Sequence, residues 1–252
     1  MKKLYQTNWF EIEFKELQAY QQGSTSELPS QFFYDEFYSK FYKKYSCYNS
    51  LDDKYLRGKE EVANFLIQKI KLSANPNVLS FGCGIGYVEQ CICNQIQQID
   101  LYLLDSPLST KWMKQYIDEK FIHTELQSLG NLKFDLIYLS HVEYALTDSD
   151  LITLFRDLRS YLNPKGSLIL IKPVEKSSSG VLNLIKGLAK NVLSLLRLYD
   201  RGQFWGYSRN PHEIAKLLQE GGFDSEIQQT TTTTMIEGYN LSCVEAFMSR
   251  DN

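Results

Sequence analysis

Residues 78–86 read Val-Leu-Ser-Phe-Gly-Cys-Gly-Ile-Gly, an apolar strand that runs straight into a turn with glycine at every second position. Few architectures accept such a segment, because the glycines let the backbone of a strand-to-helix turn come close to a ligand. A second apolar run, Ile99 to Leu104, ends at Asp105, nineteen positions after Gly86. An acidic residue closing the next strand, about 20 positions on, is placed to accept hydrogen bonds from ribose hydroxyls. The pairing points to a nucleoside-binding α/β fold. Position 87 is tyrosine, so the G-x-G-x-x-G spacing of dinucleotide sites is not met, and a nicotinamide dehydrogenase is disfavoured.

Beyond this segment, short apolar runs alternate with helical patterns, which argues for a parallel sheet covered by helices. Strands are expected at 77–81, 100–104, 120–125, 134–140 and 167–171, and helices at about 86–97 and 108–117. Asp148 or Ser149 is placed to cap the helix LITLFRDLRSYL. In the tail, Thr230 to Thr234 and the run Leu241 to Met248 suit a final strand pair, since threonine is β-branched.

The first sixty residues are crowded with aromatics. Within QFFYDEFYSKFYKKY, Phe33, Phe37, Phe41 and Tyr45 form one four-residue row and Tyr34, Tyr38 and Tyr42 a second, which predicts a helix over 31–45. Residues 49–72 continue as helix until Asn75-Pro76. Two roles fit these rows, a packed N-terminal helical cap and a platform for a sugar or a planar ring.

A net charge of −3 gives no footprint for sequence-independent nucleic-acid binding. Five cysteines form no C-x-x-C pair and no cluster with histidine, so neither a metal site nor a disulfide framework is expected. His123 reads as structural. The residues after Met1 lack the sections of a signal peptide, which suggests a cytoplasmic chain.

Taken with its neighbours, the glycine segment resembles motif I of the class I S-adenosylmethionine-dependent methyltransferases, written as an apolar strand, an acidic residue, one apolar residue and G-x-G-x-G. Phe134-Asp135 resembles the start of the family's fourth strand, Asn163-Pro164-Lys165-Gly166 its turn before the fifth, and HEIAKLLQEGGF at 212–223 its late helix. Two departures stand out: Ser80 occupies the acidic place, and Lys165 replaces a glycine. In the family that carboxylate helps hold the charged methionine part of the cofactor, so another group or a water must do so here.

The resemblance implies a Rossmann-like doubly wound, seven-stranded, mostly parallel sheet with an antiparallel last strand, an N-terminal helical cap over 1–72 and a catalytic domain over 73–252. It implies S-adenosyl-L-methionine as cofactor, S-adenosyl-L-homocysteine as product, and a site built from Ser80, Gly82, Cys83, Gly84, Gly86, Asp105, Ser106, Glu125, Leu126 and Ser140. Glu125 with Leu126 would border adenine. The loop after the fourth strand is where the family sets groups near the transferred methyl, so His141, Glu143 and Tyr144 are the catalytic candidates, His141 as base.

Between the fifth strand and 212–223 lies an insertion, 173–207, longer than the usual loop of about 4–6 residues. It begins as a linker and continues as an amphipathic helix, 181–199, with a basic stripe and a broad apolar face. Three readings compete for it: a lid over the acceptor pocket, a homodimer contact, and attachment to a membrane surface. Phe204 to Arg209 would supply aromatic walls and a cation. The expected function is methyl transfer to an oxygen or nitrogen of a small-molecule or glycan acceptor. Alternatives are a non-catalytic nucleoside-binding or interaction module, and a peripheral-membrane enzyme acting on a glycolipid or lipid-linked glycan.

Overall fold

A computed structural model describes residues 2–71, 75–175, 201–229 and 239–248. In chain order its first elements are β1 (Lys2–Gln6), β2 (Asn8–Trp9), β3 (Ile12–Glu13), α1 (Gln18–Gln22), α2 (Gln31–Lys44), α3 (Asp53–Ile70), β4 (Asn77–Phe81) and α4 (Tyr87–Gln95). There follow β5 (Asp100–Leu104), β6 (Ile122–His123), β7 (Phe134–Ser140), α5 (Asp148–Tyr161), β8 (Leu162–Glu175), β9 (Gln203–Ser208), α6 (Pro211–Glu220), β10 (Phe223–Gln229) and β11 (Tyr239–Met248). The chain divides into two compact units, Met1–Ser46 with Glu175–Ser208, and Cys47–Val174 with Arg209–Asn252.

The second unit is built on a seven-stranded sheet in the order β10-β11-β8-β7-β4-β5-β6. The pairs β4–β5, β4–β7, β5–β6 and β7–β8 are parallel, and β10–β11 is antiparallel. Alternate strand residues serve opposite faces, so both faces are apolar, as a parallel sheet covered on both sides requires. Val78, Leu101, Leu136 and Ile169 pack with Val62, Leu66 and Ile70 of α3 and with Val88 and Ile92 of α4. Leu79, Ile137, Leu139, Leu168 and Leu170 pack with Leu151, Phe155 and Leu158 of α5 and with Ile214 and Leu218 of α6. Parallel order also brings the C-terminal ends of β4, β5, β6, β7 and β8 to one edge, where a strand-order reversal opens a crevice for ligands.

Several expected boundaries shift. The helix at 108–117 is a tight 3-10 segment, Ser109–Gln115, and the third strand keeps only Ile122–His123 of 120–125. The cap of α5 is Thr147, not Asp148 or Ser149: its side chain accepts from the Asp150 N–H, and the Asp150 carboxylate accepts in return from the Thr147 N–H. The strand at 167–171 belongs to the longer β8, and the aromatic run after the insertion lies in β9, Gln203–Ser208. The division into units sets α3 with the sheet and the described end of the insertion with the N-terminal segment, whereas the sequence reading placed a single boundary at residue 72. The expected helix at 181–199 and the threonine run lie outside the described residues.

In the first unit, the aromatic rows form α2 as expected. Ser30 caps it by accepting from the Phe33 N–H. Phe33, Phe37 and Phe41 are buried, and so is Tyr38 from the second row, while Tyr34 and Tyr42 are half-buried. Trp205 of β9, a strand paired antiparallel with β1, is the hub of this layer. Its ring stacks on Phe14 at 5.2 Å between centroids and meets Trp9 edge-on at 5.5 Å, with Phe33 and Tyr34 at 6.1 and 6.0 Å. Such ring contacts add to area burial, and removing a buried tryptophan typically costs about 3–5 kcal/mol. Trp205→Ala is therefore expected to loosen the first unit selectively. Limited proteolysis should then cut within residues 2–46 much faster than in the parent, with cleavage inside the seven-stranded unit unchanged.

Candidate functional site

The glycine turn sits at the edge where β4, β5 and β7 end. Gly82 and Gly86 both have positive φ, 75° and 79°. A side chain at Gly82 would run into Val142 and one at Gly86 into Met113, so both backbone shape and neighbours demand glycine. Three contacts fix the turn from outside. The Gly84 N–H donates to Asp105 Oδ2 at 2.7 Å, the Gly82 N–H donates to the Leu104 carbonyl at 2.8 Å, and Tyr48 Oη donates to the Ile85 carbonyl at 2.6 Å.

Asp105 Oδ1 accepts from the Ser106 N–H at 2.6 Å and from Ser109 Oγ at 2.7 Å. A carboxylate offers about four lone-pair positions. With three in use, one acceptor position remains on a half-buried group. Cys83 lies within the turn, and burial pushes its thiol well above the usual range, so it stays protonated. Glu125 is exposed, and its carbonyl accepts from Ser128, while Leu126 is half-buried beside it with its carbonyl taken by Tyr161 Oη at 3.1 Å.

Beneath the turn lies a buried polar network. Ser80 Oγ donates to Glu89 Oε1 at 2.6 Å and Tyr138 Oη donates to the same oxygen at 2.8 Å. Glu89 is only 2% exposed, and its Oε2 is buried with no hydrogen-bond partner. Burial pushes its carboxyl upward, opposed by Ser80 and Tyr138. Lys59 of α3 acts on this carboxylate electrostatically, and burial lowers its ammonium to about 8.

The loop after β7 is held by Arg209, whose side chain is buried. Its Nη1 donates to the Glu143 carbonyl and its Nη2 to the Leu146 carbonyl, each at 2.7 Å, and Nε pairs with Asp148 Oδ1 at 2.8 Å. This planar fork is a task for which lysine has no equivalent. Glu143 is buried, and its carboxylate faces Lys172 Nζ at 3.6 Å, while Lys172 donates to the Arg209 carbonyl. Burial raises the Glu143 carboxyl and lowers the Lys172 ammonium, each countered by the other.

His141 carries φ 61°, rare for a residue with a side chain. Its N–H donates to the Ile171 carbonyl, and its Nδ1 lies 3.0 Å from Ser140 Oγ. Burial, then Lys59 and Lys172, hold the imidazole well below its usual range, so it is neutral at pH 7. Tyr144 and Glu89 both act electrostatically on Tyr55, whose hydroxyl burial pushes upward. His123 sits in β6 with Nδ1 2.8 Å from Ser128 Oγ.

The sequence-derived residues thus separate into clusters. Gly82, Cys83, Gly84, Gly86, Asp105 and Ser106 come together, Ser140, His141, Glu143 and Tyr144 form the adjoining loop, and Glu125 with Leu126 stand at the end of β6. Sequence reasoning missed Glu89, Tyr138 and Lys59 and gave Arg209 a ligand-facing task. A glutamate in the first turn of the helix after the glycines, nine residues beyond the serine at the acidic place, was the available signal for Glu89.

A family profile described as a methyltransferase domain matches residues 53–230. No curated protein matches in sequence. Among solved structures, the mitomycin 7-O-methyltransferase MmcR is similar at 16% identity and TM-score 0.55, covering 77% of this chain and 54% of that one. Human N-acetylserotonin methyltransferase, solved with SAM, matches at 18% identity and TM-score 0.50 over 78% of this chain and 55% of that one. Magnesium protoporphyrin IX methyltransferase from Synechocystis, with bound SAH, matches at 20% identity and TM-score 0.52 over 78% and 84%. The chain thus spans little more than half the length of the first two.

Arg209→Ala should destabilise the second unit by about 2–6 kcal/mol, because two loop carbonyls lose their donor at about 1–3 kcal/mol each; urea unfolding measures this. For His141, the folded pKa lies below the unfolded one, so the unfolded chain binds more protons as pH falls through about 6.5 and stability drops. His141→Asn, which tolerates the same backbone, should lose less stability than the parent between pH 7 and pH 5 in paired thermal melts.

Proposed function

We propose that this chain, which belongs to the class I S-adenosylmethionine-dependent methyltransferases, transfers a methyl group to an oxygen or nitrogen of a small-molecule acceptor. The observation that carries the reading is the 2.7 Å bond between the Gly84 N–H and Asp105, which joins the glycine turn to the acid at the strand edge. The residues present fit the cofactor. Asp105 keeps an acceptor position for a ribose hydroxyl, Glu89 Oε2 is a buried acceptor without a donor, and α4 begins without a side-chain cap.

Gly82, Cys83, Gly84 and Gly86 would line the cofactor's path, with Ser80 beneath them; Asp105 and Ser106 would bind the ribose; Glu125, Leu126 and Ser140 would border the rest. When bound, S-adenosylmethionine supplies an electrophilic methyl. The chain's own residues have two tasks, to orient the acceptor and to take its proton where it has one. Neutral His141 suits a proton acceptor through Nε2, with Nδ1–H donating to Ser140 Oγ. The surroundings that keep it neutral also make it a weak base, so it works best on an acceptor whose own proton is acidic. Glu143 is engaged by Lys172 and shapes the loop, and Tyr144, three positions after His141, would serve as an orienting hydroxyl. The named substrates of similar folds, mitomycin, N-acetylserotonin and magnesium protoporphyrin IX, favour a small cyclic acceptor over a glycan.

Calorimetric titration with S-adenosylmethionine and S-adenosylhomocysteine tests the reading. Micromolar binding is expected, weakened at least tenfold, or about 1.4 kcal/mol, in Asp105→Ala. Absence of binding by the parent chain would overturn the enzyme reading.

A further inference from the structure

Where the resembled family carries an acidic residue, this chain has Ser80, buried at 1% exposure and bonded to Glu89. Ser80 lies near the end of β4 and Glu89 in the first turn of α4, so the two bracket the glycine turn. The Glu89 carboxylate is oriented by two donors on a single oxygen, Ser80 Oγ at 2.6 Å and Tyr138 Oη at 2.8 Å. Its other oxygen is buried and bare.

That asymmetry is informative in either charge state. Ionised, Glu89 holds a buried negative charge, and among the described residues no cation pairs with it within ion-pair distance. Protonated, the proton resides on Oε2, because Oε1 already receives two donors, and it finds no acceptor. Buried polar atoms are ordinarily matched, and leaving one unmatched carries a desolvation cost of about 1–3 kcal/mol. A cationic N–H donor entering from the glycine turn satisfies charge and hydrogen bond together.

Resting on the methyltransferase reading, we propose that Glu89 is the carboxylate that receives the α-ammonium group of the cofactor's methionyl part. The carboxylate has moved from the strand to the helix. Ser80 and Tyr138 are positioning residues that hold it in place.

The test compares S-adenosylhomocysteine with its analogue lacking the α-amino group, by calorimetry, in the parent and in Glu89→Gln. The amide keeps the volume and can accept both existing hydrogen bonds. In the parent, the amine-bearing ligand should bind at least tenfold tighter; in Glu89→Gln this preference should shrink to about twofold or less. The preference is a ratio within one protein, so partial unfolding cancels from it, and equal binding of 5′-methylthioadenosine by both proteins shows an intact pocket. Ser80→Ala removes one positioning donor without touching the charge, and should lower the preference several-fold. No preference in the parent, or one undiminished in both variants, overturns the proposal while leaving the methyltransferase reading intact. Failure of the parent to bind any of the three nucleosides overturns both.

Discussion

The bond from the Gly84 N–H to Asp105 holds the edge of this sheet together. It links the turn after β4 to the end of β5, two neighbouring parallel strands, and so sets the shape of the glycine turn. Asp105 can do this because Ser106 and Ser109 fix its other oxygen. The turn is then closed by packing, with Val142 against Gly82 and Met113 against Gly86, while Tyr48 holds the Ile85 carbonyl. Glycine serves here through what surrounds it as much as through its own conformational freedom.

A second constraint lies one layer deeper. Tyr138 is fully buried in the central strand β7, an unusual place for a phenol unless its hydroxyl has a partner. Glu89 is that partner, and Ser80 completes the set. The network fixes the start of α4 against the sheet and leaves one carboxylate oxygen unmatched. Buried polar atoms are ordinarily matched, so this oxygen is an exception of the kind found at functional or strained sites.

Loop 140–148 is defined by tertiary contacts more than by its own sequence. Arg209 enters from a position more than sixty residues further along the chain and donates to two loop carbonyls. Its local context, an aromatic run ending in a cation, suggested a ligand contact, because nothing in a linear pattern reveals that a guanidinium will be buried under another loop. Similarly, Thr147 and not Asp148 caps α5, since Asp148 is drawn to Arg209. Glu143 was legible as a functional-looking acid, and its pairing with Lys172 became visible only once β7 and β8 lay side by side.

Local chemistry written in the chain determined the parallel strands, the glycine turn, the acid at the end of β5 and the aromatic helix α2, because period, turn residues and spacing act over about 20 positions or fewer. Those were enough to identify the methyltransferase family. The tertiary structure alone decided which carboxylate sits beneath the turn, how Arg209 shapes the loop after β7, and how far burial and neighbouring lysines depress His141. Each of these depends on groups distant in sequence meeting where water is excluded, and in that setting hydrogen bonds and charges carry their full weight.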